Sequence, residues 1–181
     1  LDQAEVGDDA DRDVFVMVGD GSYLMMNTEL VTAVAEGVKV IVVLVQNHGY
    51  ASIGALSQSL GSQRFGTAYR YRSAGGRLDG DKLPVDLAAN AASLGADVLA
   101  VAGIEEFRAA VLKAKASTRT TVIHVETDPL VPAPDSPAWW DVPVSEVSVL
   151  ESTQQARLAY EDHKTRQRPY LTPASDTKDL S

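Results

Sequence analysis

Asp20 stands in a Gly-Asp-Gly turn (Gly19 to Gly21) directly after the apolar run Val14 to Val18, and Asn47 follows a second apolar run, Val40 to Val45, 27 positions further on. A carboxylate oxygen, an amide oxygen and a backbone carbonyl from the tight turn at Gly49 make a hard-oxygen set of the kind Mg2+ takes, commonly shared with a diphosphate. Gly19 and Gly21 let the backbone turn sharply beside Asp20. The N–H groups of Gly21 and Ser22 then open the following helix, where a phosphate is stabilised. A lone Gly-Asp-Gly is a common turn, so the second element carries the weight. One turn, one crossover helix and one strand together fill the interval from Asp20 to Asn47, which returns both groups to the same edge of a parallel sheet. The chemistry implied is a metal-bridged diphosphate beyond the carboxyl ends of two strands.

The elements that must position these groups follow from the apolar pattern. Residues 13–18 read as a buried strand behind the acidic lead-in Asp8 to Arg12, and 24–36 as a helix stopped at Gly37. The β-branched run 39–45 reads as a strand covered on both faces. A short helix over 51–60 comes next, then a helix capped by Asp86 and ended at Gly95, then a strand over 98–101. A helix opening on Glu105 and Glu106 and closing on Lys113 and Lys115 suits the helix dipole, and 121–125 is the fourth strand. This order predicts an α/β fold: an open, mostly parallel sheet with helices on both faces. The expected organisation is a diphosphate-binding α/β domain over 1–128, an extended Pro/Trp segment over 129–145, and a polar helical tail over 146–181. The middle segment holds five of the eight prolines, and Trp139-Trp140 within it calls for an apolar surface to pin it. Residues 62–84 form a long Gly-rich loop carrying Arg64, Arg70, Arg72, Arg77 and Lys82.

Composition narrows the partners. At 181 residues and 45% hydrophobic content the chain can build one core, and its net charge of −9 disfavours nucleic acid and anionic membrane surfaces. The absence of cysteine excludes a disulfide framework and a Cys-based zinc site. No run is long enough to span a bilayer and no basic signal region opens the chain, so the expected location is the cytoplasm. Leu1 in place of an initiator methionine, with a strand a dozen residues later, leads to the expectation of a longer polypeptide.

Gly19-Asp20-Gly21 followed by Asn47-His48-Gly49-Tyr50 resembles the thiamine diphosphate motif of pyruvate decarboxylase-like enzymes, which usually ends in two asparagines; Gln46 replaces the first. The resemblance implies thiamine diphosphate and Mg2+ as cofactors. It implies Asp20, Asn47 and Gly49 as metal ligands, and Gly19, Gly21, Ser22, Asn47, Gly49, Tyr50 and Ala51 as the cofactor-binding set. The segments "FGTAYRYR", "VDLAANAASLGA" and "WWDVPVSEVS" further resemble the trihydroxycyclohexane-1,2-dione hydrolase family, the ring-opening enzymes of myo-inositol catabolism. That likeness implies hydrolytic carbon-carbon cleavage of a small polar cyclic diketone to a 5-deoxy-glucuronic acid. It also implies an activating glutamate outside this chain, in a pyrimidine-binding domain of the same or a neighbouring subunit, within a homodimer or homotetramer. An acetolactate synthase- or decarboxylase-like enzyme, or an inactive cofactor-binding module, are the alternatives.

His48 lies between two metal-site residues. Either its imidazole exchanges protons near the cofactor, or only its backbone serves the turn. His124 reads as a strand residue, His163 as a tail residue, and Glu29 and Glu36 as a solvated helix face. Arg70 and Arg72 are candidates for holding a hydroxylated substrate.

Overall fold

The computed structural model describes residues 12–131, 134 and 141–167. Among these, four strands, β1 (Phe15–Gly19), β2 (Ile41–Gln46), β3 (Asp97–Val101) and β4 (Thr121–Glu126), pair in parallel in the order β1-β2-β4-β3. The helices are α1 (Asp20–Met26), α2 (Glu29–Ala35), α3 (Ala51–Ser59), α4 (Leu87–Ser93), α5 (Ile104–Ala116) and α6 (Glu151–Arg166). This is the open parallel α/β architecture expected from the apolar pattern.

Alternation along the strands divides the core into two layers. Val42, Leu44 and Val122 face Tyr23, Leu30, Leu87 and Ala91, while Ile41 and Ile123 face Ala110 and Ala114 on the opposite side. The steps from β1 to β2 and from β2 to β3 cross the sheet in one direction and carry α1, α2 and α4 on the first face. The return from β3 to β4 carries α5 on the second, as a single crossover hand requires. Asp86 caps α4 as its sequence position suggested, accepting from the Ala89 amide at 2.8 Å.

Two expectations are corrected. The first helix begins at Asp20 rather than Leu24, because Gly19 in an extended conformation leads straight from strand into helix, and it breaks at Asn27 before α2. The Tyr23 hydroxyl and the Asn27 amide both donate to Asn90 Oδ1, at 2.8 and 3.0 Å, which ties this broken helix to α4. Second, β1 is not buried. Among the described residues it lies at the edge of the sheet with one strand neighbour, and the core that α5 closes on the second face draws on β2, β3 and β4 but not on β1; Met17 is 77% exposed and Phe15 46%.

The described residues divide into two compact units, one comprising 12–55 and 64–131 and the other 56–63, 134 and 141–167. The sheet belongs to the first. In the second, the Gly61 carbonyl accepts the Ser152 and Thr153 hydroxyls at 2.6 and 2.9 Å. A side chain at Gly61 would meet the Ser152 carbonyl at 2.3 Å, so glycine allows this approach. Tyr160 donates to Asp141 at 2.9 Å from the middle of α6. The Trp139-Trp140 pair, the lead-in before Arg12 and the tail beyond Gln167 lie outside the described residues.

Candidate functional site

Asp20 is the first residue of α1, yet it is 1% exposed. Its carboxylate is enclosed by backbone amides: Oδ1 accepts from Gly21 at 3.1 Å, and Oδ2 accepts from Asn47 at 3.2 Å and Gly49 at 2.9 Å. The turn after β2 is thus wrapped around the side chain that ends β1. Among the described residues no cationic side chain forms an ion pair with Asp20. A carboxylate taken out of water calls for a counter-charge as well as hydrogen bonds.

Three oxygens converge beside it. The Asn47 side-chain oxygen lies 3.3 Å from Asp20 Oδ1 and 3.0 Å from the Gly49 carbonyl oxygen. Turning the amide would let its NH2 group donate to both; a cation among the three would satisfy the same atoms without rotation. Neighbouring ligands around an octahedral ion with metal–oxygen distances of about 2.1 Å stand roughly 3.0 Å apart, so the spacing suits Mg2+.

The loop over 62–84 supplies the clamp that aims Gly49. Tyr50 donates its amide to the Thr67 carbonyl at 2.8 Å, and Tyr69 donates to the His48 carbonyl at 2.8 Å, an antiparallel bridge centred on Gly49 and Ala68. That bridge uses the backbone groups on either side of Gly49. It leaves the Gly49 amide facing Asp20 and the Gly49 carbonyl facing Asn47. A Cβ at Gly49 would fall 2.3 Å from the Thr67 carbonyl oxygen, so only glycine fits between clamp and site. The same segment continues as a hairpin in which Arg70 donates to the Gly80 carbonyl at 2.9 Å and Arg72 to that of Gly76. The two arginines expected to meet substrate each bind a carbonyl of their own hairpin.

The other residues singled out in the sequence take the following positions. Gly21 is buried under the Tyr50 ring, whose carbons would lie 2.5 and 2.6 Å from a Cβ there, and its amide is turned to Asp20. Ser22 is exposed at the start of α1, and Ala51 is half-buried at the start of α3. His48 has a left-handed backbone (φ 61°). Its carbonyl serves the clamp, its Nδ1 lies 3.2 Å from Gln46 Nε2, and its Nε2 lies 3.6 Å from the Glu126 carboxylate. His163, on α6, bonds the Ala159 carbonyl at 2.8 Å.

Sequence reasoning missed the role of Gln46. It is 1% exposed, its oxygen meets His124 Nε2 at 2.7 Å, and its NH2 group donates to the Val85 carbonyl at 3.1 Å besides facing His48. The amide therefore links two strands and two histidines beside the turn from Asn47 to Gly49. One signal was present: a polar residue ending the run Ile41 to Val45 and a histidine inside β4 must find each other or remain unsatisfied.

A parallel α/β sheet with a buried acid and an amide joined at the carboxyl ends of adjacent strands is the frame of a diphosphate-binding domain. The chain belongs to the thiamine pyrophosphate enzyme family: residues 4–125 match its C-terminal TPP binding domain. It is 40% identical over 146 residues to 3D-(3,5/4)-trihydroxycyclohexane-1,2-dione hydrolase 1 of Bacillus cereus, covering 80% of this chain and 23% of that protein. A second protein of that organism, hydrolase 2, is 36% identical over 160 residues, covering 88% of this chain and 25% of its own length. The chain thus spans about a quarter of the length of the relatives it matches. Among solved structures it resembles the thiamine diphosphate-dependent 4-hydroxybenzoylformate decarboxylase of Rhodococcus jostii RHA1, with a TM-score of 0.51 and 27% identity over 65% of this chain and 20% of that one. Benzoylformate decarboxylase from Polynucleobacter necessarius gives a TM-score of 0.52 and 25% identity over 67% of this chain and 21% of that one.

Proposed function

We propose that this chain holds the Mg2+ and diphosphate of thiamine diphosphate within an enzyme that hydrolytically opens the ring of trihydroxycyclohexane-1,2-dione. The observation that carries the cofactor reading is the convergence of Asp20 Oδ1, the Asn47 side-chain oxygen and the Gly49 carbonyl around a buried, uncompensated carboxylate. In this reading the three oxygens bind the metal, and Ser22 at the start of α1, with the Gly19–Gly21 turn and the Tyr50-Ala51 segment, lines the diphosphate. Asp20 supplies the charge that holds the metal; the clamp from Thr67 to Tyr69 keeps the Gly49 carbonyl turned inward. When bound, thiamine diphosphate supplies a nucleophilic carbon and an electron sink for cleavage beside a carbonyl.

The ring-opening specificity rests on the hydrolases at 40% and 36% identity, against 27% for the decarboxylase. The partner needed is a pyrimidine-binding domain, in the same or a neighbouring subunit of a cytoplasmic homodimer or homotetramer, which contributes the activating glutamate. The test is to assay the enzyme carrying this chain with trihydroxycyclohexane-1,2-dione, pyruvate and benzoylformate in the presence of Mg2+ and thiamine diphosphate. Ring opening with little turnover of the two keto acids is the expected result. Decarboxylation of either keto acid without ring opening would reassign the substrate while leaving the cofactor site intact.

A further inference from the structure

Among the described residues the Tyr69 hydroxyl completes no hydrogen bond of normal geometry, and the Tyr50 phenol is its polar neighbour. Its backbone is fixed on both sides: its amide donates to the His48 carbonyl at 2.8 Å, and its carbonyl accepts from Leu83 at 2.9 Å. Its ring meets that of Tyr50 edge-on, with centroids 6.0 Å apart and planes at 83°. Tyr50 in turn rests against Gly21, at the turn that carries Asp20. The clamp that aims Gly49 therefore also brings a phenol to the side of the Asp20 turn. Among the described residues, the Tyr69 hydroxyl is the buried side-chain polar atom without a hydrogen bond.

Burial first, then the negative charge of Asp20 and the neighbouring Tyr50 phenol, push the Tyr69 pKa up to about 12. The Tyr50 phenol lies close enough to raise the Tyr69 pKa through a side-chain hydrogen-bonding interaction, but the approach falls short of hydrogen-bond geometry. Tyr69 thus remains a neutral O–H donor at any working pH, held beside a carboxylate that the Gly21, Asn47 and Gly49 amides already occupy. An enclosed donor lacking an acceptor is costly unless something else supplies one. An anion held beside Asp20 by a metal ion supplies one. Tyr50, whose ring meets that of Tyr69 edge-on, is itself 39% exposed.

We propose that the Tyr69 hydroxyl is a further cofactor-binding donor, giving a hydrogen bond to an oxygen of the metal-bound diphosphate. This rests on the metal and diphosphate reading above. Tyr69→Phe removes only the hydroxyl and keeps the ring against Tyr50. The experiment measures the affinity of the enzyme carrying this chain for thiamine diphosphate and for inorganic diphosphate, each with Mg2+, by calorimetry, and its melting temperature without ligand. Tyr69→Phe is expected to weaken both ligands about tenfold, the effect of one hydrogen bond to a charged acceptor. The unliganded melting temperature should stay level or rise, since no protein hydrogen bond is lost. Unchanged affinity for both ligands overturns the proposal, as does a lower unliganded melting temperature with unchanged affinity, which assigns the hydroxyl a structural partner. Asp20→Ala, measured alongside, separates the two levels. If it loses binding while Tyr69→Phe binds as the wild type does, only the Tyr69 assignment falls; if the wild-type enzyme binds neither ligand, both fall.

Discussion

β1 and β2 are register partners from Phe15–Ile41 to Gly19–Val45, and both are apolar in sequence, yet they end in different environments. β2 has a strand on each edge and helices on both faces, and Ile41 to Leu44 are buried. β1 has one strand neighbour and one covered face, and its first three residues are exposed. The polar end of β1 reverses this, because Asp20 is more deeply buried than any residue of the strand before it. Covering β1 needs segments beyond its own crossover unit, whereas the amides that enclose Asp20, from Gly21, Asn47 and Gly49, all lie within that unit and the turn after it. The carboxylate is enclosed by one β-α-β unit and its closing turn, while the sheet edge beside it stays open among the described residues.

Perturbing each side should show that difference. Asp20→Ala should have the largest effect, reducing affinity for Mg-thiamine diphosphate by about a hundredfold or more, because the only charged oxygen of the three is removed. Gly49→Ala forces a methyl group into the Thr67 carbonyl and should destabilise the chain by about 2 kcal/mol as well as turn the metal-facing carbonyl, read by chemical denaturation and calorimetry. Gln46→Leu removes the partner of buried His124 and should lower stability by about 2 kcal/mol, with a smaller loss of cofactor affinity. Asn47→Ala, which deletes a neutral ligand, should weaken binding about tenfold. Met17→Glu should change unfolding stability by no more than about 0.5 kcal/mol while reducing concentration-dependent association in light scattering, since the residue lies on the uncovered flank of β1. If Met17→Glu instead unfolds the chain, the contrast between the two strands fails.

The sequence disclosed the parts of this arrangement that depend on short intervals. Asp20, Asn47 and Gly49 were legible because one crossover fixes which strand ends meet, and the parallel sheet was legible from the β-branched run ending at Val45. Gln46, His124 and Tyr69 were not assigned their roles. Their contacts depend on β4 lying beside β2 and on the hairpin folding back to Gly49, pairings between segments distant in the chain. The exposed face of β1 was misread for a related reason: an apolar strand records that it can be covered, and says nothing of which segment covers it.

The claim that Asp20, Asn47 and Gly49 hold a metal-bound diphosphate is tested most directly by replacing Mg2+ with paramagnetic Mn2+ and recording amide NMR spectra of the 181-residue chain with diphosphate. Selective broadening of residues 19–22, 47–51 and 67–69, strengthened by diphosphate and abolished in Asp20→Ala, with α5 unaffected, is the expected result. Broadening centred instead on exposed carboxylates such as Glu105 and Glu106, or unchanged in Asp20→Ala, would contradict it.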